Sequence, residues 1–279
     1  NKNGWMYILP ALIFISVFII YPIFNTLILS FQSKSGAFSF SSYQFLFQDD
    51  KFIKAIMNTI MYALVVTPIV LIIALVISYA LSQKIKLRDT FQTIFFLPYV
   101  TNAIAVGMAF AFIFNKEYGL FNMVLGWFGA PTGVDAISWV NSGATWGRAM
   151  FALLVYTVWG GLAFKIMVFL SGLQSIDKQY YDAARIDATP RWRVFSRITV
   201  PLLSPMIMYI TITSFIGAFK AYRTVIGMFG PTLAPPGSLS KDSLITLVGL
   251  VYEEVKNITV LPGAASRAAA AAIILFAIT

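Results

Sequence analysis

The sequence predicts an all-α membrane protein of six transmembrane helices, with a charged, helix-forming loop between the fourth and the fifth. Three observations carry that reading. Of 279 residues, 59% are hydrophobic and only 11% are charged, far too apolar for a water-soluble fold of this size. Apolar runs long enough to cross a bilayer core, which takes about 20 residues for about 30 Å, recur along the chain. The runs are continuous and not alternating, and a bilayer leaves the backbone only helix or closed barrel, so the pattern selects helices.

The first span, residues 5–31, is too long for a signal-peptide core and no small-x-small cleavage site follows it, so it reads as a retained helix. Residues 32–55 are polar and aromatic and end in Asp49-Asp50-Lys51, before a second span at 56–82 and a third at 92–114. Residues 116–146 hold Trp127, Trp139 and Trp146, rings that favour the membrane–water boundary. The fourth span covers 147–172, the charged loop about 173–203, and the fifth span 204–228. Pro231, Pro235 and Pro236 stiffen the next loop, and the last span is 262–279. Ala264 to Thr279 reaches only about 24 Å at 1.5 Å per residue, so that helix is expected to be clipped. With Asn and not Met at the start, residues are expected to be missing at both ends. No internal repeat or separate soluble domain is visible, so residues 1–279 read as a single transmembrane domain.

Lys and Arg set the orientation. Lys84, Lys86 and Arg88 follow the second span, and Lys178, Arg185, Arg191, Arg193 and Arg197 occupy the long loop. The opposite loops hold Lys34, Lys51, Lys54, Lys116, Lys241 and Lys256 more sparsely, among Asp49, Asp50, Glu117, Asp135, Asp242, Glu253 and Glu254. The dense clusters belong in the cytoplasm, which puts both termini inside. The net charge of +9 is then mostly topology, with some attraction to anionic membrane lipid. Nucleic acid is not an expected partner, because the basic residues sit on membrane loops.

Cys and His are absent, which removes disulfides, thiolate nucleophiles and imidazole ligands; no cofactor or metal is expected. No Asp or Glu falls inside the predicted spans. Self-powered carriers commonly use buried carboxylates near the midplane, so the energy for moving a solute is expected to enter from a partner.

The loop after the fourth span is about thirty residues long and carries eight charges. Gln179 to Ala188 is good helix material, Thr189 fits an N-cap and Pro190 the first position of a second helix. Asp182 and Arg185, three apart, can pair on one face, and Trp192 sits beside the turn. A short helix with small residues on one side suits a groove on another protein; the alternative is a surface helix lying on lipid headgroups.

The stretch Asp182-Ala183-Ala184 … Asp187-Ala188-Thr189, with Phe195, Ile198 and Pro201 beyond it, closely resembles the EAA loop of binding-protein-dependent ABC importer permeases. That family's pattern is Glu-Ala-Ala, two residues, Asp-Gly-Ala, then Phe, Ile and Pro at the same spacing. Ala188 replaces the family's Gly, which lies in the turn, where φ > 0 costs Ala about 1 kcal/mol or more. Either the turn avoids that region or the loop carries strain. Phe96-Leu97-Pro98-Tyr99, Gly119-Leu120-Phe121-Asn122, Trp159-Gly160-Gly161, Gly172-Leu173-Gln174-Ser175-Ile176, Gly230-Pro231 and Tyr252 follow in the order of the carbohydrate-uptake branch, similar to maltose-type permeases.

The resemblance implies the type I ABC importer fold, in a bacterial or archaeal cytoplasmic membrane, with the loop as a coupling helix seated on a cytoplasmic ATPase dimer. It assigns coupling to Tyr181, Asp182, Ala183, Ala184, Asp187, Ala188, Thr189, Pro190 and Arg191. It further implies a second permease subunit, forming a heterodimer, and an extracytoplasmic solute-binding protein that delivers the sugar. The chain itself would hold no ATP site, and no Gly-x-x-x-x-Gly-Lys-Ser/Thr run occurs in it.

A sugar path needs hydrogen bonds and an aromatic platform for C–H faces. The fourth span offers Tyr156, Thr157, Trp159, Gly160, Gly161, Phe164 and Lys165. Two consecutive glycines loosen a helix and expose backbone carbonyls, which tolerates a break where a cavity is lined; the other reading is close helix packing on small residues. Trp159, Gly161 and Phe164 are the first choices by resemblance. Lys165 and Lys220 are charges at membrane depth that can face a cavity, whereas Arg223 snorkels. A lysine-lined cavity also suits an acidic sugar, with Lys220 as the residue to test. Asn102 and Asn115 bond a hydroxyl or, more simply, a neighbouring helix. Other solutes, such as a polyamine or phosphate ester, and a self-contained secondary transporter are the alternatives.

Overall fold

Each of the six predicted apolar spans is helical, and the third and fifth are interrupted. The computed structural model describes residues 2–33, 36–83, 88–237 and 243–279. Lys34, Lys84, Lys86, Lys241 and Asp242, used above for orientation, lie outside the described residues. The helices are α1 (Trp5–Ser30), α2 (Ser41–Gln48), α3 (Asp50–Ser82), α4 (Arg88–Val100), α5 (Ala103–Ile113) and α6 (Leu120–Trp127). There follow α7 (Trp146–Ser175), α8 (Lys178–Ile186), α9 (Arg191–Leu202), α10 (Ser204–Phe219), α11 (Arg223–Phe229), α12 (Leu247–Lys256) and α13 (Ala264–Ile278). Three of these, α1, α3 and α7, are each long and apolar enough to cross a membrane. The pairs α4–α5 and α9–α10 reach that length only together, bent by 104° and 68°.

The chain forms two compact units, residues 1–59 with 245–279 and residues 60–244. In the first unit α13 packs against the second half of α1 and against α2, and α12 lies on α13. The buried face of α13 is Ala264, Ala268, Ala269, Ala270 and Ala271; such small side chains let helices approach closely without large hydrophobes. The unit is tied by polar contacts. Arg267 donates to Glu254 (Nη2 to Oε2 2.9 Å) with both side chains largely buried, and its guanidinium lies 4.9 Å from the Phe45 ring centre. Asn58 Nδ2 donates to the Ile245 carbonyl at 2.9 Å, and the Leu247 amide to Thr59 Oγ1 at 3.0 Å. Helix α12 falls in a stretch read from sequence as connecting loop. Its signal was a Thr246 cap, whose side chain accepts from the Gly249 amide at 3.2 Å, ahead of an amphipathic run.

The second unit is built on α7. Ile166, Phe169 and Leu170 of α7 pack with Ala74 and Leu81 of α3 and Ile210 of α10 into one buried cluster. Ser78 bridges the first two helices, its hydroxyl 2.6 Å from the Ala74 carbonyl and 3.0 Å from that of Ile166. The break that Gly160-Gly161 would tolerate does not occur: α7 runs through both glycines. Eleven buried residues hold that helix straight, which outweighs a glycine penalty of about 1 kcal/mol each.

The breaks come where the backbone is capped. The chain turns at Thr101-Asn102, and Asn102 Oδ1 accepts from the amides of Ile104 (2.9 Å) and Ala105 (3.3 Å). Asn102 therefore caps its own helix through Oδ1. Asn115 likewise accepts from the Glu117 amide at 2.9 Å. Beyond it, Gly119-Leu120-Phe121-Asn122 has a structural explanation. A Cβ on Gly119 would lie 2.3 Å from the Asn115 carbonyl oxygen, Phe121 joins a cluster of Phe114, Trp139 and Phe151, and the buried Asn122 amide donates to the Lys116 and Ile137 carbonyls and accepts from Trp139 Nε1.

Helix α11 crosses α5 glycine to glycine. A Cβ on Gly107 would sit 2.7 Å from the Gly227 carbonyl carbon, so Gly107→Ala must push the helices apart at a cost of about 1–3 kcal/mol. The expected result is a lower thermal-unfolding midpoint in detergent. Gly160→Ala, whose Cβ meets nothing within 4 Å, is expected to leave the midpoint unchanged or raise it.

Candidate functional site

Two regions concentrate the residues singled out by sequence: an elbow formed by α8, a turn and α9, and a cavity between α3, α7 and α10.

The elbow starts from a capped helix. Asp177, not predicted as a cap, accepts from the Gln179 amide at 2.9 Å. Helix α8 then ends in a paired-bond stop: the Thr189 amide donates to the Ala184 carbonyl at 2.9 Å and the Ala188 amide to that of Arg185 at 3.0 Å. This is the bond pattern of a helix end whose penultimate turn residue adopts the left-handed region, usually glycine. Here it is Ala188, with φ +47°. Of the two outcomes open from sequence, the strained one is found. Thr189 does not cap the next helix and Pro190 is not its first residue. Pro190 is extended (ψ 144°) and its carbonyl accepts from Arg193 (2.9 Å) and Val194 (3.1 Å), which makes it the N-cap and Arg191 the first helical residue.

One side of the elbow is tied inward. Tyr181 Oη lies 3.3 Å from Oγ1 of the buried Thr199. Phe195 of α9 packs on Tyr79 of α3 with ring centres 4.7 Å apart. Ala184 is buried. The other side faces out. Asp182 pairs with Arg185 at 3.3 Å with both side chains exposed, as the three-residue spacing predicts. Ala183, Ala184, Asp187 and Thr189, with Tyr180, line a shallow groove of about 400 Å³. Ile186 and Trp192 stand 86% and 75% exposed beside it. Sequence reading missed Tyr180 and Ile186; the available signal was an apolar residue at helical spacing from Ala183 on an otherwise polar helix.

The cavity is about 250 Å³. Helix α3 contributes Tyr62, Val66, Thr67 and Val70; α7 contributes Thr157, Gly161, Phe164 and Lys165; α10 contributes Thr213, Ser214, Gly217 and Ala218. Lys165 Nζ donates to the Gly161 carbonyl at 3.2 Å, and the Tyr62 hydroxyl lies 3.2 Å from Thr157 Oγ1 and 3.4 Å from Thr224 Oγ1. Phe164 stacks on Tyr99 at 6.0 Å. So Thr157, Gly161, Phe164 and Lys165 come together. The other expected path residues do not line this cavity. Tyr156 is buried and donates to the Ala103 carbonyl, anchoring the α4–α5 break. Trp159 packs against Phe110 at 5.5 Å. Gly160 faces open space, and Lys220 is exposed just past the end of α10. The hydroxyl-rich wall from α10 was not singled out from sequence.

Residues 77–279, which include the elbow and most of the cavity, match the family described as "Binding-protein-dependent transport system inner membrane component". The chain belongs to that family. It is therefore a membrane transport subunit. It is 32% identical over 252 residues to the lactose transport system permease protein LacF of Rhizobium radiobacter, covering 88% of this chain and 82% of LacF. It is 30% identical over 259 residues to the arabinooligosaccharides transport system permease protein AraP of Bacillus subtilis, covering 90% and 77%. Its fold is that of a chain in the crystal structure of a bacterial alginate ABC transporter in complex with an alginate pentasaccharide-bound periplasmic protein. The TM-score is 0.80 at 20% identity, over 99% of this chain and 91% of that one. The architecture is the type I importer fold that the elbow motif implied.

The strain at Ala188 is directly measurable in this permease. Ala188→Gly is expected to stabilise the α8 terminus by about 1 kcal/mol, seen as a higher denaturation midpoint, whereas Ala188→Val is expected to lower it.

Proposed function

We propose that this chain is one permease subunit of an ATP-driven importer, forming half of the pore for a sugar or oligosaccharide handed over by an extracytoplasmic binding protein. LacF and AraP are named for sugar transport systems, and the solved relative carries a saccharide-loaded periplasmic partner. Residues 1–279 serve as a single permease domain with the N-terminus and the elbow in the cytoplasm. A second permease subunit completes the pore, and a cytoplasmic ATPase dimer supplies the energy.

The observation that carries the coupling role is the outward half of the elbow. Ile186 and Trp192 expose large apolar surface beside a groove lined by Ala183 and Asp187, on a segment whose other side is fixed by Tyr181 and Phe195. A rigid, capped knob with apolar tips suits a cleft on a partner. The cavity supplies what a saccharide needs, hydroxyl partners and the Phe164 ring.

Ala184 is buried, so changing it tests folding and not docking. Ala183→Glu and Ile186→Asp are surface changes. Each is expected to cut copurification with the ATPase and ATP-driven uptake at least about tenfold, the loss typical of an interface anchor worth more than about 1.4 kcal/mol, with an unchanged unfolding midpoint. Full ATP-coupled uptake in the double variant would remove the elbow from the coupling role.

A further inference from the structure

Two groups on the wall of the α3–α7–α10 cavity have bonding capacity that the chain leaves unused. The first is Thr67, only 1% exposed, whose Oγ1 has no hydrogen-bond partner among the described residues. It is unlike its neighbours. Thr157 donates to the Leu153 carbonyl at 2.8 Å and Thr213 to that of Tyr209 at 2.8 Å, the usual way a membrane helix absorbs a hydroxyl. An orphaned buried hydroxyl costs about 1–3 kcal/mol, so its retention beside a cavity points outward from the chain, to something that enters.

The second is Lys165. Its ammonium has three donors and spends one on the Gly161 carbonyl. It makes no ion pair among the described residues. Residues 60–82, 146–175 and 204–219, which supply the three walls, contain no Asp or Glu at all. A cation at membrane depth normally meets a counter-charge, a backbone carbonyl or water; here no counter-charge comes from the protein walls. At about 250 Å³, the space is below the roughly 300–1,000 Å³ that encloses a whole drug-sized ligand, which fits one unit of a longer chain.

We infer that this cavity selects for charge: it takes a carboxylate-bearing sugar unit, with Lys165 Nζ pairing to the carboxylate and Thr67 Oγ1 bonding a neighbouring ring hydroxyl. Phe164 offers its ring to the C–H face. The inference rests on the saccharide-import reading above and narrows it to acidic saccharides. Lys220, the lysine favoured for this role by sequence, does not line the cavity, so the role falls to Lys165.

The test uses the assembled importer with its ATPase and binding protein in liposomes of zwitterionic lipid. Uptake is measured for trisaccharides of galacturonate, glucuronate and mannuronate, each against its carboxyl-reduced neutral counterpart. The acidic member of at least one pair is expected to be preferred. Lys165→Met is expected to lower the acidic-to-neutral uptake ratio at least about tenfold, as loss of a buried charge partner does, and Lys165→Arg to retain the preference. Thr67→Val is expected to lower acidic uptake several-fold without lowering the unfolding midpoint; unchanged uptake removes Thr67 from the site. Copurification of the Met variant with the ATPase excludes misfolding. Uptake of neutral members alone, or an equal loss of both in Lys165→Met, overturns the charge selection and leaves saccharide import standing. Uptake of no member of any pair overturns both readings. A Lys165 effect that appears only when phosphatidylglycerol is added makes a lipid headgroup the occupant and overturns the proposal.

Discussion

Backbone hydrogen bonding in a medium without water is the constraint on which the rest of the structure depends. Each unpaired N–H or C=O in hydrocarbon costs several kcal/mol, so a membrane helix cannot simply stop. Where this chain departs from helix, a group is provided to meet the freed backbone. Asn102 takes two amides at the α4–α5 break, and Tyr156 reaches across to the Ala103 carbonyl at the same place. The end of α8, in the elbow, closes on itself with two turn bonds. That bond pattern requires a left-handed residue, and the bonds secured are worth more than the roughly 1 kcal/mol lost without a glycine.

The same constraint explains the side chains. Ser, Thr and Tyr inside the helices turn their hydroxyls onto nearby carbonyls, as Ser78 does within α3 and across to α7. Close packing then relies on absent side chains, as in the alanine face of α13 and the Gly107–Gly227 crossing. Against that background Thr67 and Lys165, the one unsatisfied and the other without a counter-ion among the described residues, are exceptions with a shared location. Membrane proteins retain such groups where they serve a function.

Much of the fold was legible because the hydrocarbon thickness imposes a length on each apolar run, and length survives in a single sequence. The interruptions were less so. Asn102 read as a polar residue available to a partner, because capping depends on backbone direction, which an apolar run does not encode. Gly160-Gly161 left a break and close packing both open for the converse reason: propensity permits a break, and tertiary burial along α7 overrode it. The elbow was visible through the charge pattern and the spacing of Asp182, Asp187, Phe195 and Pro201, but which alanine faces inward is a matter of tertiary packing, which spacing does not encode. Of the path residues expected on the fourth span, Thr157, Gly161, Phe164 and Lys165 share the cavity, since they lie on one face of a continuous helix while Trp159 and Gly160 lie on another. The α10 wall was hidden because Thr213, Ser214 and Gly217 carry no signal until a second helix is placed opposite them.

The three walls of the cavity each connect to the elbow by a different element of the second unit. Helix α7 carries Gly161 and Lys165 and runs without a break to Ser175, two residues before the Asp177 cap. At 1.5 Å per residue that is about 15–20 Å of stiff rod. Helix α10 follows α9 through the bend at Leu203, and the bend is pinned: Leu203 is buried, and a Cβ on Gly172 of α7 would come 2.9 Å from its Cδ2. Helix α3 is engaged through the Tyr79–Phe195 ring contact. A force applied to the outward face of the elbow therefore cannot move one wall alone. It pushes α7 along its own chain, α10 through the pinned bend and α3 through packed rings. Close-packed elements of this kind transmit displacement because they have little room to absorb it. A capped turn is a better lever than a floppy one for the same reason.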